Sequence, residues 1–330
     1  MTVLSVLDLS FVTEATPPSA SLANSVDLAI HADRLGYARY WVAEHHSLAS
    51  VASSAPEVII ARIAAATQRI RVGAGGVMLP NHAPYIIAEQ FGTLAALYPG
   101  RVDLGLGRAP GTDQATLQAI RTSPGAAERF PQDVMELMHW FAPADEPGYI
   151  RAWPACGSAV DFWILGSSQF GAMLAAELGL PYGFASHFAP DYLEEALHIY
   201  RSRFKPSAQL QAPRAMIGVN VVCADTTEEA RRLFTTAQMS FCGIFRGVRG
   251  LSQPPIDDIA TYWTPREEAQ VSRMLGCAVI GTPDEVKAGL SALQERTGAD
   301  EFIIVTDIWD PAARRRSLAL TAEAWGLAAE

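Results

Sequence analysis

The sequence predicts an α/β fold of the (β/α)8 TIM-barrel type. Three observations carry that expectation. About eight apolar, strand-like runs alternate with helices whose apolar residues recur at three- and four-residue spacing. The strand runs are almost continuously apolar, as strands covered on both faces of a parallel sheet must be. Eight repeats in 330 residues suit one closed barrel better than an open doubly wound sheet, the other architecture the pattern allows.

Each element follows in order. Residues 3–9 (VLSVLDL) read as the first strand, then a helix runs from about Ser21 to Leu35 with Gly36 as its stop. Residues 38–43 form the second strand. Pro56-Glu57 opens the next helix, proline suiting the first helical position because its missing N–H would be unpaired there. Strand 69–79, helix 83–98 and strand 101–107 come next. After an interruption come strand 161–166, helix 168–178, strand 182–186, helix 190–204 and strand 214–224. Asp225-Thr226-Thr227 supplies N-cap oxygens for another helix. A helix from Thr282-Pro283, strand 301–307 and a helix from Pro311 complete the set. Residues 109–160 and 240–280 break the rhythm and read as insertions beside an active-site mouth.

Composition bounds the rest. Hydrophobic residues make up 49% and charged ones 18%, enough for one large core in a single domain spanning 1–330. The net charge of −10 argues against nucleic acid, whose binders need a basic stripe to displace counterions. Cys156, Cys223, Cys242 and Cys277 form no CxxC pair and suit reduced thiols in a cytosol. The start, MTVLSVLDLS, has no basic stretch and reads as a strand, not a signal peptide. No run reaches the roughly 18 apolar residues of a membrane helix. A soluble, cytoplasmic protein without a membrane partner is expected.

Chemistry in such a barrel gathers at the carboxyl ends of the strands. Glu44-His45-His46, Met78 to His82, Gly107-Arg108 and Gly166-Ser167-Ser168 all follow strands directly, so they converge on one rim. Neighbouring residues on a strand point to opposite faces, which speaks against His45 and His46 chelating one metal; no HxH or HExxH spacing supports it, and no metal is expected. Imidazole titrates near neutral pH, so acid/base work is the sharper reading, against histidines that merely bond loop carbonyls. Arg108, among small residues, is either a surface arginine or a fork for a phosphate. Ser167 and Ser168 at a helix start are either caps or part of an anion site at the positive end of the dipole. Gly73-Ala74-Gly75-Gly76 is unusual in a buried strand; it marks tight packing against a helix, close approach of a flat ligand, or a strained peptide bond.

The stretch WVAEHH, followed by RIRVGAGGVMLPNHAPYIIAEQFGTLAALYPGRVDLGLGRAPGTD, resembles the bacterial luciferase-like flavin-dependent monooxygenases. LGSSQFGAMLAAELGLPYGFAS and the late IGTPDEV agree; 109–160 and 240–280 match least. The resemblance implies a (β/α)8 barrel binding FMN non-covalently. It implies reduced FMN supplied by a separate NAD(P)H-dependent flavin reductase, with O2 as co-substrate and a flavin C4a-(hydro)peroxide that oxygenates a small organic molecule. It matches the catalytic histidine to His45, with His46 beside it, and the phosphate ligands to Arg108 and Ser168. It also matches a non-proline cis peptide to Gly75-Gly76. Glu44 and His46 are expected to orient His45, and Asn81 and Trp309 to line the pocket. Two positions depart from luciferase: Gly107 stands where it has a cysteine, and Gly171 where a threonine helps hold the phosphate. Light emission is not implied. Three rivals remain: deazaflavin-dependent hydride transfer, a non-catalytic flavin carrier, and a metal-dependent hydrolase using His45, His46 and His82. Helices 57–67 and 83–98 resemble those that form the family's dimer, so a homodimer is expected.

Overall fold

The computed structural model describes residues 2–109, 112–143, 150–248 and 250–327. Eight parallel strands close into a barrel: β1 (Val3–Asp8), β2 (Arg39–Val42), β3 (Arg71–Met78), β4 (Val102–Gly107), β5 (Asp161–Gly166), β6 (Tyr182–Phe184), β7 (Ala215–Cys223) and, last in the chain, β9 (Glu301–Val305). Strands β1 to β7 pair with their successors; β9 joins β7 to β1 and closes the ring. All eight strands expected from the sequence are present. A ninth, β8 (Val279–Gly281), is not among them; it pairs outside the barrel with the end of β7 at Val221–Cys223. Three residues are too few to show a period, which is why its pattern is silent.

The covering helices are α1 (Pro18–Arg34), α2 (Pro56–Ala66), α3 (Pro84–Leu97), α6 (Gln169–Leu178), α7 (Leu193–Arg203), α8 (Thr227–Arg246), α10 (Pro283–Thr297) and α11 (Pro311–Trp325). Their starts follow local chemistry. Proline stands in the first turn of α1, α2, α3, α10 and α11, and Thr226 caps α8 by accepting the N–H of Glu229. The first helix begins earlier than Ser21 because Pro18 already fits that position. The interruption at 109–160 contains α4 (Gln114–Ile120) and α5 (Phe130–Phe141), with 110–111 and 144–149 outside the described residues. The second insertion is shorter than expected: α8 runs through Arg246, so irregular chain begins only after it, leading to α9 (Pro265–Met274). Residue 249 lies outside the described residues. Among them, no helix is long and apolar enough to cross a membrane, and the four cysteines are free.

The strands' inward residues stack in layers. At the amino end Arg39 donates to Asp103 (2.6 Å) and Glu301 (2.9 Å). Arg71 reaches Asp103 (2.5 Å) and Asp161 (2.8 Å), and Arg214 reaches Glu301 (2.8 Å). Asp103 and Glu301 are wholly buried. Desolvating those carboxylates is tolerable only because guanidinium forks and the N–H of Trp41 (2.9 Å) occupy their lone pairs. Above this ionic plug lie Leu7, Trp41, Trp163, Met216 and Ile303, the two indoles edge to face at 5.4 Å. Gly73 makes room for Trp41, whose Nε1 a Cβ there would meet at 2.9 Å, and Gly105 lets β3 come close, since a Cβ on it would collide with the carbonyl of Ala74. The glycine run of β3 therefore packs against the barrel interior and β4, not against a helix. Gly105→Ala should destabilise by roughly 1–3 kcal/mol or more, as overpacking against rigid backbone does; urea unfolding measures it.

Candidate active site at the barrel mouth

The strands' carboxyl ends deliver the rim residues together. The backbone N–H of His45 donates to Ser53 O (3.0 Å), tying the end of β2 to the loop before α2. Beside it, Glu44 is fully buried and acts as a hub. His46 Nε2 and His82 Nε2 each lie 2.7 Å from Glu44 Oε1, and the N–H of Met78 donates to Oε2 (2.8 Å). One carboxylate thus fastens the ends of β2 and β3.

Electrostatics follow from that arrangement. Burial alone would raise the pKa of Glu44. The hydrogen bond and charge of His82, with the Met78 N–H and His46, outweigh it and hold the group below the usual carboxylate range. Burial would likewise lower His82, but Glu44 prevails and raises it. The lowered Glu44 contributes stability present above its unfolded pKa and lost as pH falls through the folded one. The raised His82 contributes stability complete below its unfolded pKa and lost as pH rises through the folded one. Both are therefore in full force in mildly acidic solution, between the ordinary carboxylate and imidazole values of 4.5 and 6.5. Glu44→Gln should cost on the order of 1–3 kcal/mol near pH 6 and less as pH rises past the raised pKa of His82, where the imidazole is neutral in either state; thermal unfolding across pH reads the difference.

Glu44, His46 and His82 also bring one ligand atom each within 4.8 Å of the others, a spread a metal ion could bridge. The metal rival named His45 with His46 and His82; the structure gathers Glu44 in its place. Both imidazole Nε2 atoms are engaged with the same carboxylate oxygen.

Arg108, exposed after β4, lays its guanidinium over the ring of Phe170, 4.2 Å from the centroid. Phe170 is the second residue of α6, so the stacking carries the cation to that helix's start. Ser168 holds the N-cap position with extended backbone, yet its side chain makes no capping hydrogen bond. The capping role open to it in the sequence is thus not taken up. Its hydroxyl and the first N–H groups of α6 are not spent on each other, which suits an anion at the positive end of the helix. Ser167 precedes it, half-buried. Gly171 seats α6 over β5 and β6: a Cβ there would come 3.2 Å from the ring of Tyr182 and 3.5 Å from the Cα of Gly166.

Between the histidines and this anion corner, the Gly75-Gly76 peptide is cis, as the resemblance implied. It accompanies a register shift between β3 and β4. Thr112 donates to the carbonyl of His46 (3.2 Å), linking the chain beyond Arg108 back to β2; Pro110 and Gly111 lie outside the described residues. Asn81 ends a short turn of 3-10 helix and accepts from Thr122 (3.4 Å), which ties it to the first insertion. Trp309 turns toward a narrow recess between α1 and α11, with Asn24, Leu28 and Arg315, apart from the Glu44 and Arg108 groups.

Sequence reasoning passed over two rim residues. His187 follows β6, and Asp307 follows β9. Asp307 is buried, its Oδ1 has no hydrogen-bond partner among the described residues, and burial raises its pKa to about 6 against the pull of Arg314. A lone acid closing the apolar run EFIIVTD was the available signal.

Comparison with known proteins bears on the chain as a whole. The family described as Luciferase-like monooxygenase matches residues 2–301. A protein of Escherichia coli K12 named Luciferase-like monooxygenase is 47% identical over 317 residues, covering 96% of this chain and 95% of its own. The N-acetyl-S-alkylcysteine monooxygenase of Bacillus subtilis is 31% identical and covers 97% of each chain. The crystal structure of apo-MsnO8 superposes with a TM-score of 0.92 at 38% identity, covering 100% of both chains.

Proposed function

This chain belongs to the luciferase-like monooxygenase family, and on that footing we propose that it uses reduced FMN and O2 to oxygenate a small organic molecule. One observation carries the cofactor assignment: Arg108, stacked on Phe170, meets the uncapped start of α6 on the rim that also bears His45. A phosphate tail suits that corner, and a flat ring would lie by the Gly75-Gly76 peptide, whose two residues bring no side chain of their own although Leu7, Trp41 and Leu165 pack closely behind them. When bound, reduced FMN supplies two electrons to O2, one atom of which enters the substrate while the other leaves as water. The chain does the rest. Arg108, Ser167 and Ser168 hold the phosphate. His45 moves the proton at its imidazole. Glu44, through His46 and His82, keeps the ends of β2 and β3 from shifting, and the insertions screen the mouth from water. Asn81, after β3, borders the substrate space, whereas Trp309 faces the recess between α1 and α11 and takes no part.

In this reading an NAD(P)H-dependent flavin reductase supplies the reduced cofactor. Val58 on α2 and Ile86 and Leu97 on α3 are exposed apolar side chains, which supports burial of that face in a homodimer. The test is a binding titration with FMN, FAD and a deazaflavin in oxidised and reduced forms, then product analysis under 18O2. Tight binding of a deazaflavin with none of FMN, or product free of label, would replace oxygenation with hydride transfer. Arg108→Ala should weaken FMN by roughly 10- to 100-fold, the worth of a charge-assisted hydrogen bond. Its melting temperature should barely change, because the side chain is exposed; flavin fluorescence quenching gives the affinity.

A further inference from the structure

His187 stands directly opposite His45. In the ring of eight strands β2 and β6 are four places apart in either direction, so residues leaving their carboxyl ends face each other across the mouth. The backbone there is pinned to β7: Ser186 Oγ donates to Gly218 O (2.7 Å), and Asn220 Nδ2 donates to His187 O (2.5 Å). The imidazole packs edge to face on Phe188, with centroids 4.8 Å apart. Its Nδ1 occupies the space a Cβ on Gly218 would need, so glycine at 218 is what lets the ring in.

That seating decides the tautomer. Nδ1 is inaccessible to solvent and has no hydrogen-bond partner among the described residues. A proton there would leave a buried N–H unpaired, at a cost of about 1–3 kcal/mol, whereas a bare lone pair against a Cα costs less. The proton therefore sits on Nε2, on the side of the ring away from β7. Burial, reinforced by the nearness of His45, lowers the pKa of His187 to about 4, so the ring stays neutral.

We propose that His187 is a substrate-contacting residue, donating a hydrogen bond from Nε2–H to an uncharged acceptor, such as a carbonyl, amide or sulfoxide oxygen, on a molecule held between it and His45. The proposal rests on the oxygenase reading for the reaction, but not for the placement or tautomer of the ring. Selection at this position follows: Nε2–H pairs with a group that accepts, such as a carbonyl or sulfoxide oxygen, and would meet an ammonium group donor against donor.

The test uses the whole chain labelled with 15N-histidine and N-methylacetamide as the probe, His187→Gln giving the assignment by loss of a resonance. The expected spectrum has His187 protonated at Nε2 and bare at Nδ1, with a shift that saturates as the amide is added. His187→Phe should bind the probe about 3- to 10-fold more weakly, read from the His45 resonance, as loss of one neutral hydrogen bond does. His187→Gln, which keeps an N–H donor, should stay within about threefold of wild type. FMN affinity should be nearly unchanged in both variants. A proton found on Nδ1, or a His187 signal that the amide leaves unmoved, overturns the proposal. Failure of the wild-type chain to bind FMN would instead overturn the oxygenase reading and leave the tautomer and probe results standing.

Discussion

His45→Ala is expected to cut oxygenation by 10²- to 10⁴-fold, the usual worth of a positioned acid/base group, while FMN affinity changes little. The separation follows from the layout. Phosphate binding belongs to Arg108 and the start of α6, two and three strands further round the rim from β2. The fold around residue 45 is carried by its backbone N–H to Ser53 and by the neighbouring Glu44 hub, neither of which needs the imidazole of His45. Rapid mixing of reduced-FMN-loaded protein with O2, with product quantified, gives the rate. Equilibrium titration gives the affinity, and added imidazole should restore part of the lost rate. Turnover within tenfold of wild type would remove His45 from the mechanism.

Arg39→Met should bring the largest loss of stability, about 3–5 kcal/mol, as breaking a buried ion pair from one side does. Methionine fills much of the same volume, so the loss is electrostatic. Asp103 keeps Arg71 and Trp41, and Glu301 keeps Arg214 and Ser5, but each fully buried carboxylate gives up a charged partner. Arg39 also lies 5.0 Å from the centroid of Trp163, whose other neighbour of this kind is Arg214 at 5.3 Å. Urea denaturation followed by tryptophan fluorescence reads the change. A loss below about 1 kcal/mol would mean that the remaining arginines redistribute to cover both acids.

The barrel itself was legible because every strand is covered on both faces, so each announces itself as an apolar run. Turn chemistry marked the helix starts, as at Pro56 and Thr226. What stayed hidden depends on contacts between strands distant in sequence. Nothing local in Glu44-His45-His46 tells that Glu44 binds His82 from the next strand, so its hub role surfaced only in three dimensions. Ser168 was legible as an N-cap by position, but whether its hydroxyl caps the helix depends on a rotamer. His187 gave no signal because its meaning lies in Gly218, thirty-one positions later in the chain, and in the strand opposite. Trp309 looked like a lining residue from its place after a strand, yet the turn into α11 directs it toward α1.

The arginine–carboxylate plug at the amino end of the barrel also governs traffic. With that end closed by Arg39, Asp103 and Glu301, all under 4% exposed, traffic along the barrel axis is directed through the opposite, carboxyl-end mouth. Anything that arrives late waits for what came first, so the order of arrival and departure becomes a property of the architecture. Under the oxygenase reading proposed above, a product seated outside the cofactor would have to leave first, so turnover would be paced by the outermost guest.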